Sequence, residues 1–374
     1  MGKQLTGAIL AMGSPQEKPD IRYCVGFSVP DPVVYVQQSG KKYLVVSMLD
    51  RELARRIAPD IQVYSPDALR IPRALRGTLS GWIVGLLREL DIRAVTVAAD
   101  FPVRTADQLR RVGLRLLVTD GPLVPERAIK TRVEVDRITA CQRAAVQAMR
   151  GAIRLIARAR VDKTNRLRVR GRLLTSEHVR RAIYRVLMNH KCTGEGTIVA
   201  CGEQAATPHG VGHGPLRAHQ SIVIDIFPRH LEHGYWGDLS RTVVKGAPSP
   251  VLKKMYAAVK AAQTAALAEI CAGVSGRRVH LAAAAALARR GFKTGLLDGK
   301  AQGFIHSTGH GVGLEVHEAP SLSLRPGRLR AGHMVTAEPG LYYFQHGGVR
   351  IEDTVLVTRG GCRKLVVCED VFQV

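Results

Sequence analysis

The chain has 374 residues, is 46% hydrophobic and 5% aromatic, and carries 55 Lys and Arg against 31 Asp and Glu, a net charge of +24. That length and apolar content are enough for two ordinary domains with buried cores, and they exclude a disordered chain. The longest apolar runs, such as Ala282 to Ala286, or Ile222 to Phe227 broken only by Asp225, fall far short of the roughly 20 residues a membrane helix needs.

The first 130 or so residues alternate short β-branched runs with amphipathic stretches, an α/β pattern. Leu5 to Met12 has the look of a short leader's apolar region but lacks a small-residue cleavage site, so secretion is not expected. Val33 to Gln37 and Tyr43 to Met48 flank the turn Ser39-Gly40-Lys41 and predict a hairpin, after which Asp50 is expected to cap a helix through Ile57. A helix over Leu79 to Leu90, a strand over Ala94 to Ala98, a helix over Thr105 to Val112 and a strand over Leu114 to Thr119 complete a small mixed-sheet domain. Asp120-Gly121-Pro122 breaks the pattern, so residues 1–125 are read as one domain and 126–374 as a second.

The second domain opens with a long helix from Val133 to about Ala159 and a second from Ser176 to Asn189 capped by Thr175. Between them Arg154 to Arg172 is densely basic, with Asp162 its one acid. An anionic partner, nucleic acid or acidic lipid, is one reading of this patch; a solvated loop in a generally arginine-rich chain is the other, and the one adopted. Strands are predicted over Thr197 to Ala200, Ile222 to Phe227, Leu239 to Val244, Val335 to Ala337, Leu341 to Phe344 and Val349 to Val357, with helices over Val251 to Ala272 and Arg277 to Arg290. The class is α+β, with helices packed on one side of a curved antiparallel sheet. Seven cysteines with no C-x-x-C pair suggest neither a disulfide framework nor a zinc ribbon, and fit a reducing cytoplasm.

Five candidate metal ligands follow one another in this half: Asp225, Asp238, His310, Glu338 and Glu352. Four carboxylates and one imidazole hold enough negative charge for two divalent cations, more than a three-ligand zinc site uses. A hairpin brings Asp225 and Asp238 onto neighbouring strands, and Asp225 lies in an apolar run where an unpartnered carboxylate is costly. His306, His310 and His317 fall within a dozen glycine-rich residues, which favours a ligand with proton-handling neighbours. Glu338 precedes Pro339-Gly340, and Glu352 sits in a β-rich run after Arg350.

In this order these motifs resemble the pita-bread metallopeptidases: methionine aminopeptidases, aminopeptidases P and Xaa-Pro dipeptidases. The resemblance implies that Asp225 chelates one metal, that His310 and Glu338 hold the other, and that Asp238 and Glu352 bridge the two, with a hydroxide between the ions as nucleophile. It implies Glu338 as general base, His317 and His209 as substrate-side, proton-shuttling histidines, and His306 and Arg350 as supports, Arg350 orienting a ligand carboxylate. Pro208-His209-Gly210-Val211-Gly212-His213 offers two histidines for the one upstream position, and His209 is preferred to His213. Oxygen ligands with a single imidazole suit Mn²⁺, with Co²⁺, Zn²⁺ or Fe²⁺ as alternatives.

The folded first domain, with Tyr23-Cys24-Val25-Gly26-Phe27 similar to an early segment of the creatinase, prolidase and aminopeptidase P branch, points to Xaa-Pro peptidase chemistry on dipeptides or short peptides. Five intact ligands argue against metal-free creatinase chemistry. The resemblance also implies a homodimer or larger homo-oligomer. The readings from other classes are an inactive pita-bread protein that binds peptide or nucleic acid, and a related metallohydrolase with a non-prolyl substrate.

Overall fold

The computed structural model describes residues 7–374, and the chain divides into two compact units, one ending at Arg127 and one running from Ala128 to Val374. In the first unit, β1 (Ala8–Gly13), α1 (Pro19–Val25), β2 (Val33–Gln38), β3 (Lys41–Val45), α2 (Arg51–Ile57), β4 (Gln62–Tyr64), α3 (Leu79–Glu89), β5 (Ala94–Val97), α4 (Val103–Arg111) and β6 (Arg115–Val118) succeed one another. They build a mixed sheet of order β4-β3-β2-β1-β5-β6, antiparallel at β1/β2 and β2/β3 and parallel at the other pairings. Period-two alternation gives the sheet two apolar faces. Leu10, Val34 and Val36 pack with Ile83, Leu86 and Leu87 of α3, while Ala11, Tyr35 and Leu44 pack with Ile21 and Ala54 of α1 and α2.

Several expectations change here. The leader-like stretch is the buried strand β1 from Ala8 onward, while Leu5 and Thr6 lie outside the described residues. Asp50 stands at the start of α2, but its side chain makes no capping hydrogen bond; it accepts one from Ser47 Oγ at 3.1 Å instead. The helix expected from Thr105 begins at Val103, directly after Pro102, which is set for the first turn.

The second unit starts with α5 (Arg132–Ala157), whose Thr131 and Glu134 form a capping box. There follow β7 (Arg160–Val161), β8 (Leu167–Val169), β9 (Arg172–Leu173), α6 (Ser176–Asn189), β10 (Cys192–Thr193), β11 (Ile198–Cys201), β12 (Ser221–Ile226), β13 (Arg229–His230), β14 (Leu239–Val244), α7 (Pro250–Glu269) and α8 (Gly276–Ala288). The chain ends through β15 (Gly295–Leu297), β16 (Lys300–Gln302), β17 (Gly309–Gly311), β18 (Glu318–Leu322), β19 (Met334–Ala337), β20 (Gly340–Tyr343), β21 (Gly347–Arg350), β22 (Asp353–Val357) and β23 (Cys362–Lys364). Thr175 caps α6 as predicted.

The strands fall into a β11-β12-β14 sheet, a β18-β17-β19-β22-β23 sheet and the β20-β21 ribbon, all antiparallel. Ile222, Ile224 and Ile226 of β12 pack with Leu239 and Val243 of β14 against α5 and α6; Val335, Ala337 and Val355 pack against α7 and α8.

Two corrections matter for function. The basic segment is not a loop: β7, β8 and β9 form a small antiparallel sheet. The strand expected over Val349 to Val357 is broken at Ile351-Glu352, where the chain leaves the β20-β21 ribbon and enters the larger sheet.

Candidate metal centre

Local geometry delivers each acid to one point. With Ile222, Ile224 and Ile226 committed to the core, alternation turns Asp225 to the opposite face of β12. Asp225 pairs across the sheet with Ser240, and Asp238 sits just before β14, so the hairpin holds both aspartates as the sequence suggests. The Asp238 backbone is clamped: its N–H donates to Gln142 Oε1 at 2.8 Å, and its carbonyl accepts from Gln142 Nε2 at 2.7 Å and Thr354 Oγ1 at 2.8 Å.

Glu338 and Glu352 occupy equivalent places on two strands. Ala337 pairs with Asp353 in the larger sheet and Gly340 pairs with Arg350 in the ribbon. Each glutamate lies in the interval between those rungs, where both strands pass from one sheet to the other. His310 is carried by β17, and its glycine neighbours are required: a Cβ on Gly309 would stand 2.1 Å from the Thr336 carbonyl oxygen, and one on Gly311 2.4 Å from that of Ala319.

The side chains converge. Donor atoms of Asp238, His310 and Glu352 all lie within 4.8 Å of one another. His310 Nε2 is 3.1 Å from Glu338 Oε1 and 3.6 Å from Asp238 Oδ2. His310 Nδ1 faces the Gly311 carbonyl at 3.2 Å, so a proton held there leaves Nε2 directed at the carboxylates.

Arg350 and Ser240 brace the cluster. Arg350 Nη2 donates to Asp225 Oδ2 at 2.8 Å, Nε to Ser240 Oγ at 2.9 Å and Nη1 to Tyr342 Oη at 2.7 Å. Ser240 Oγ in turn donates its hydroxyl hydrogen bond to Glu352 Oε2 at 2.9 Å. His306 Nε2 lies 2.9 Å from Tyr342 Oη and its Nδ1 2.7 Å from the Ser307 carbonyl, an arrangement in which the phenol donates to His306 and accepts from Arg350. Ser240, Tyr342 and Gln142 belong to no motif of the sequence. Period-two alternation from Asp238 is the signal that points to Ser240; no local pattern marks the other two.

Electrostatics fit a cation site. Asp225 Oδ1 and Glu352 Oε1 are buried with no hydrogen-bond partner. Burying an unpaired polar oxygen costs about 1–3 kcal/mol, and more for a charge. Asp353, one residue beyond Glu352, is by contrast fully served by Arg241, Lys364 and Gln263. Burial, and then the neighbouring acids, push the Asp238 and Glu352 carboxyls well above their usual range. Burial opposes charge at Glu338 and His310 too, but their mutual hydrogen bond prevails: Glu338 is held down to about 2 and His310 raised to about 9. These orphaned oxygens and this crowd of hard donors fit divalent cations.

The cluster opens into a cavity of ≈ 720 Å³ lined also by His209, His306, His317 and Phe227. The His317 ring stands edge-on to His310, centroids 4.2 Å apart, and burial lowers its pKa. His209 lines the cavity; His213 is exposed, its backbone tied to Gln204, and does not.

Residues 136–359 match the model of metallopeptidase family M24. An uncharacterized peptidase, YqhT, of Bacillus subtilis is 39% identical over 169 residues, covering 45% of this chain and 45% of its own. An Xaa-Pro dipeptidase of Pyrococcus horikoshii is 38% identical over 175 residues, 46% of this chain and 47% of its own. The chain thus spans about half the length of the curated relatives it matches. A solved Xaa-Pro dipeptidase from Bacillus anthracis superposes with a TM-score of 0.83 at 25% identity, over 98% of this chain and 95% of that one. A prolidase from Pyrococcus furiosus does so with 0.78 at 24%, over 97% of each. The fold is the two-domain pita-bread fold.

Proposed function

Because the chain belongs to metallopeptidase family M24, we propose that it hydrolyses the Xaa-Pro bond at the N-terminus of dipeptides or short peptides, using two divalent cations held by Asp225, Asp238, His310, Glu338 and Glu352. The observation that carries this reading is the pair of buried, partnerless oxygens, Asp225 Oδ1 and Glu352 Oε1, beside a histidine in a substrate-sized cavity. When bound, such cations polarise a carbonyl and lower the pKa of water.

The chain's own groups hold and position. Asp225 serves the first cation, His310 and Glu338 the second, and Asp238 and Glu352 both. Arg350 fixes Asp225, Ser240 fixes Glu352, and the His306–Tyr342 contact fixes Arg350. Glu338, the ligand hydrogen-bonded to His310, is assigned as proton acceptor from the family resemblance. His317 and His209, on the cavity wall, bind substrate and carry protons.

The oxygen-rich donor set favours Mn²⁺ over Zn²⁺, Co²⁺ or Fe²⁺. Residues 1–125 are assigned as a creatinase-type domain and 126–374 as the catalytic domain, and a homodimer or larger homo-oligomer is expected from the family resemblance. Seven unpaired cysteines agree with a reducing cytoplasm. No helix among the described residues is long and apolar enough to cross a membrane.

The test is a Mn²⁺-loaded assay comparing Xaa-Pro dipeptides, Xaa-Pro-Yaa peptides and Xaa-Ala controls, with chelator. Chelator-sensitive release of Xaa from prolyl substrates alone is the expected result. Equal cleavage of the alanyl controls would remove the proline requirement, and no hydrolysis of any peptide would remove the peptidase reading.

A further inference from the structure

The basic segment has no part in the metal centre, and its charge is not the chain average. Arg154 to Arg172 holds eight cationic side chains and one carboxylate, whereas +24 spread over 374 residues would leave about one net charge there. The fold sorts these residues. Leu167 of β8 is buried with Leu174 and Leu216, so alternation sends Arg166 and Arg168 to the opposite face.

Across from them the backbone pairs Arg168 with Arg160 and Arg166 with Arg217. The result is a block of four arginines in two directly opposed like-charge pairs, an arrangement that weakens a sheet. Asp162 offsets part of the cost: its Oδ2 lies 2.9 Å from Arg168 Nε and 3.4 Å from Arg166 Nε, and its Oδ1 accepts from Thr164. Among the described residues Arg158, Arg160, Lys163, Arg170 and Arg172 have no ion-pair partner. At the β8–β9 turn Arg170 adopts φ 49° before Gly171 at 77°, a left-handed position that asparagine or glycine fills more easily. The fold thus tolerates like-charge opposition and an ill-suited turn residue while keeping Arg160, Arg166, Arg168 and Arg217 on one face; Arg172, paired with Val169, falls on the other.

We propose that this β7-β8-β9 face binds the phosphate backbone of double-stranded nucleic acid without reading its sequence. Guanidinium is the side-chain group best matched to phosphate. Alternate residues on a strand lie about 6.8 Å apart, so Arg166 and Arg168 set two guanidiniums side by side on the outer face of β8. Arg154 to Arg172 contains no aromatic residue, so it offers neither the stacking platforms of single-strand binders nor the aromatic anchors of a membrane interface.

The test uses the full, metal-loaded protein and a labelled duplex of about 20 base pairs, followed by anisotropy across a salt series. Arg160→Gln/Arg170→Gln/Arg217→Gln is expected to weaken binding about tenfold or more near 50 mM salt, and to reduce the slope of log K against log salt by roughly 2–3. Its peptide hydrolysis should be unchanged, and its melting temperature should not fall, since both opposed pairs are relieved. The proposal is overturned if the native protein leaves the duplex free at micromolar concentration, if the triple variant binds like the native protein, or if anionic phospholipid vesicles bind as tightly as the duplex and compete with it.

Discussion

Arg350 Nη2 donates to Asp225 Oδ2 at 2.8 Å while the other oxygen of that carboxylate, Oδ1, is buried and unpartnered. The guanidinium therefore fixes the carboxylate plane and leaves one oxygen to a cation. Arg350→Lys keeps the charge but cannot reach Asp225, Ser240 and Tyr342 together. The expected loss is about 10- to 100-fold in metal affinity, with a parallel fall in kcat/KM. Calorimetric Mn²⁺ titration checks it; native affinity in the lysine variant would remove Arg350 from the support of the centre.

Asp238 and Glu352 are the most crowded acids, each raised by burial and by neighbouring carboxylates. Asp238→Asn or Glu352→Gln deletes a ligand and also relieves that crowding. Each variant is thus expected to lose hydrolysis and bound metal, yet in chelator to melt no lower than the native chain. Metal content by elemental analysis and a melting curve in chelator separate the two effects, and full metal content in either variant would refute the bridging roles.

His317 meets His310 edge to face at 4.2 Å and lines the cavity. As a proton-handling group rather than a ligand, its loss in His317→Ala should cost about 10²–10⁴ in kcat while two metals per chain remain. Loss of metal would move His317 into the ligand set.

The legibility of the centre in the sequence follows from how local its parts are. Asp225 stands out because an acid in the run Ile222 to Phe227 needs a partner, and His310 because glycines crowd around it. Gln142 is silent because its partner Asp238 lies far away in sequence, and Tyr342 because it reads as an ordinary strand aromatic. The break at Ile351-Glu352 is hidden within an unbroken β-rich stretch, since a change of sheet leaves no mark on period-two patterning. β1 was obscured by its resemblance to a leader. The arginine face of β8 was obscured because only Leu167 and Val169 report the alternation.

Lys130 and Glu318 form an ion pair whose side chains are 1% and 7% exposed, joining the residue before the α5 cap to the neighbour of His317. Replacing one charge of this buried pair weakens a charge-assisted contact at a desolvated site, so Glu318→Gln is expected to destabilise the second unit by about 1–3 kcal/mol. Denaturant unfolding measures this. A change below about 1 kcal/mol, the size expected of a surface pair, would show that water reaches the lysine.

The metal-free protein should lose stability as pH rises through the neutral range. His310 moves from 6.5 up to about 9 in the folded chain, so its contribution is complete below pH 6.5 and disappears as pH climbs through 9. Asp238 and Glu352, also raised, act in the same direction: their contribution is present below the ordinary carboxylate range and is lost on ionisation. Glu338, lowered to about 2, contributes above 4.5 and fades only as pH falls through 2, so it does not offset the others in this window. Cations require the same groups deprotonated, so their stabilising effect grows as the proton-dependent contribution declines. The gap in melting temperature between Mn²⁺-loaded and chelator-treated protein should therefore widen from pH 6.5 to 9, and Mn²⁺ binding at the lower pH should release protons to the buffer. A gap that is flat or narrows over that range would mean that cations do not replace the proton held by His310.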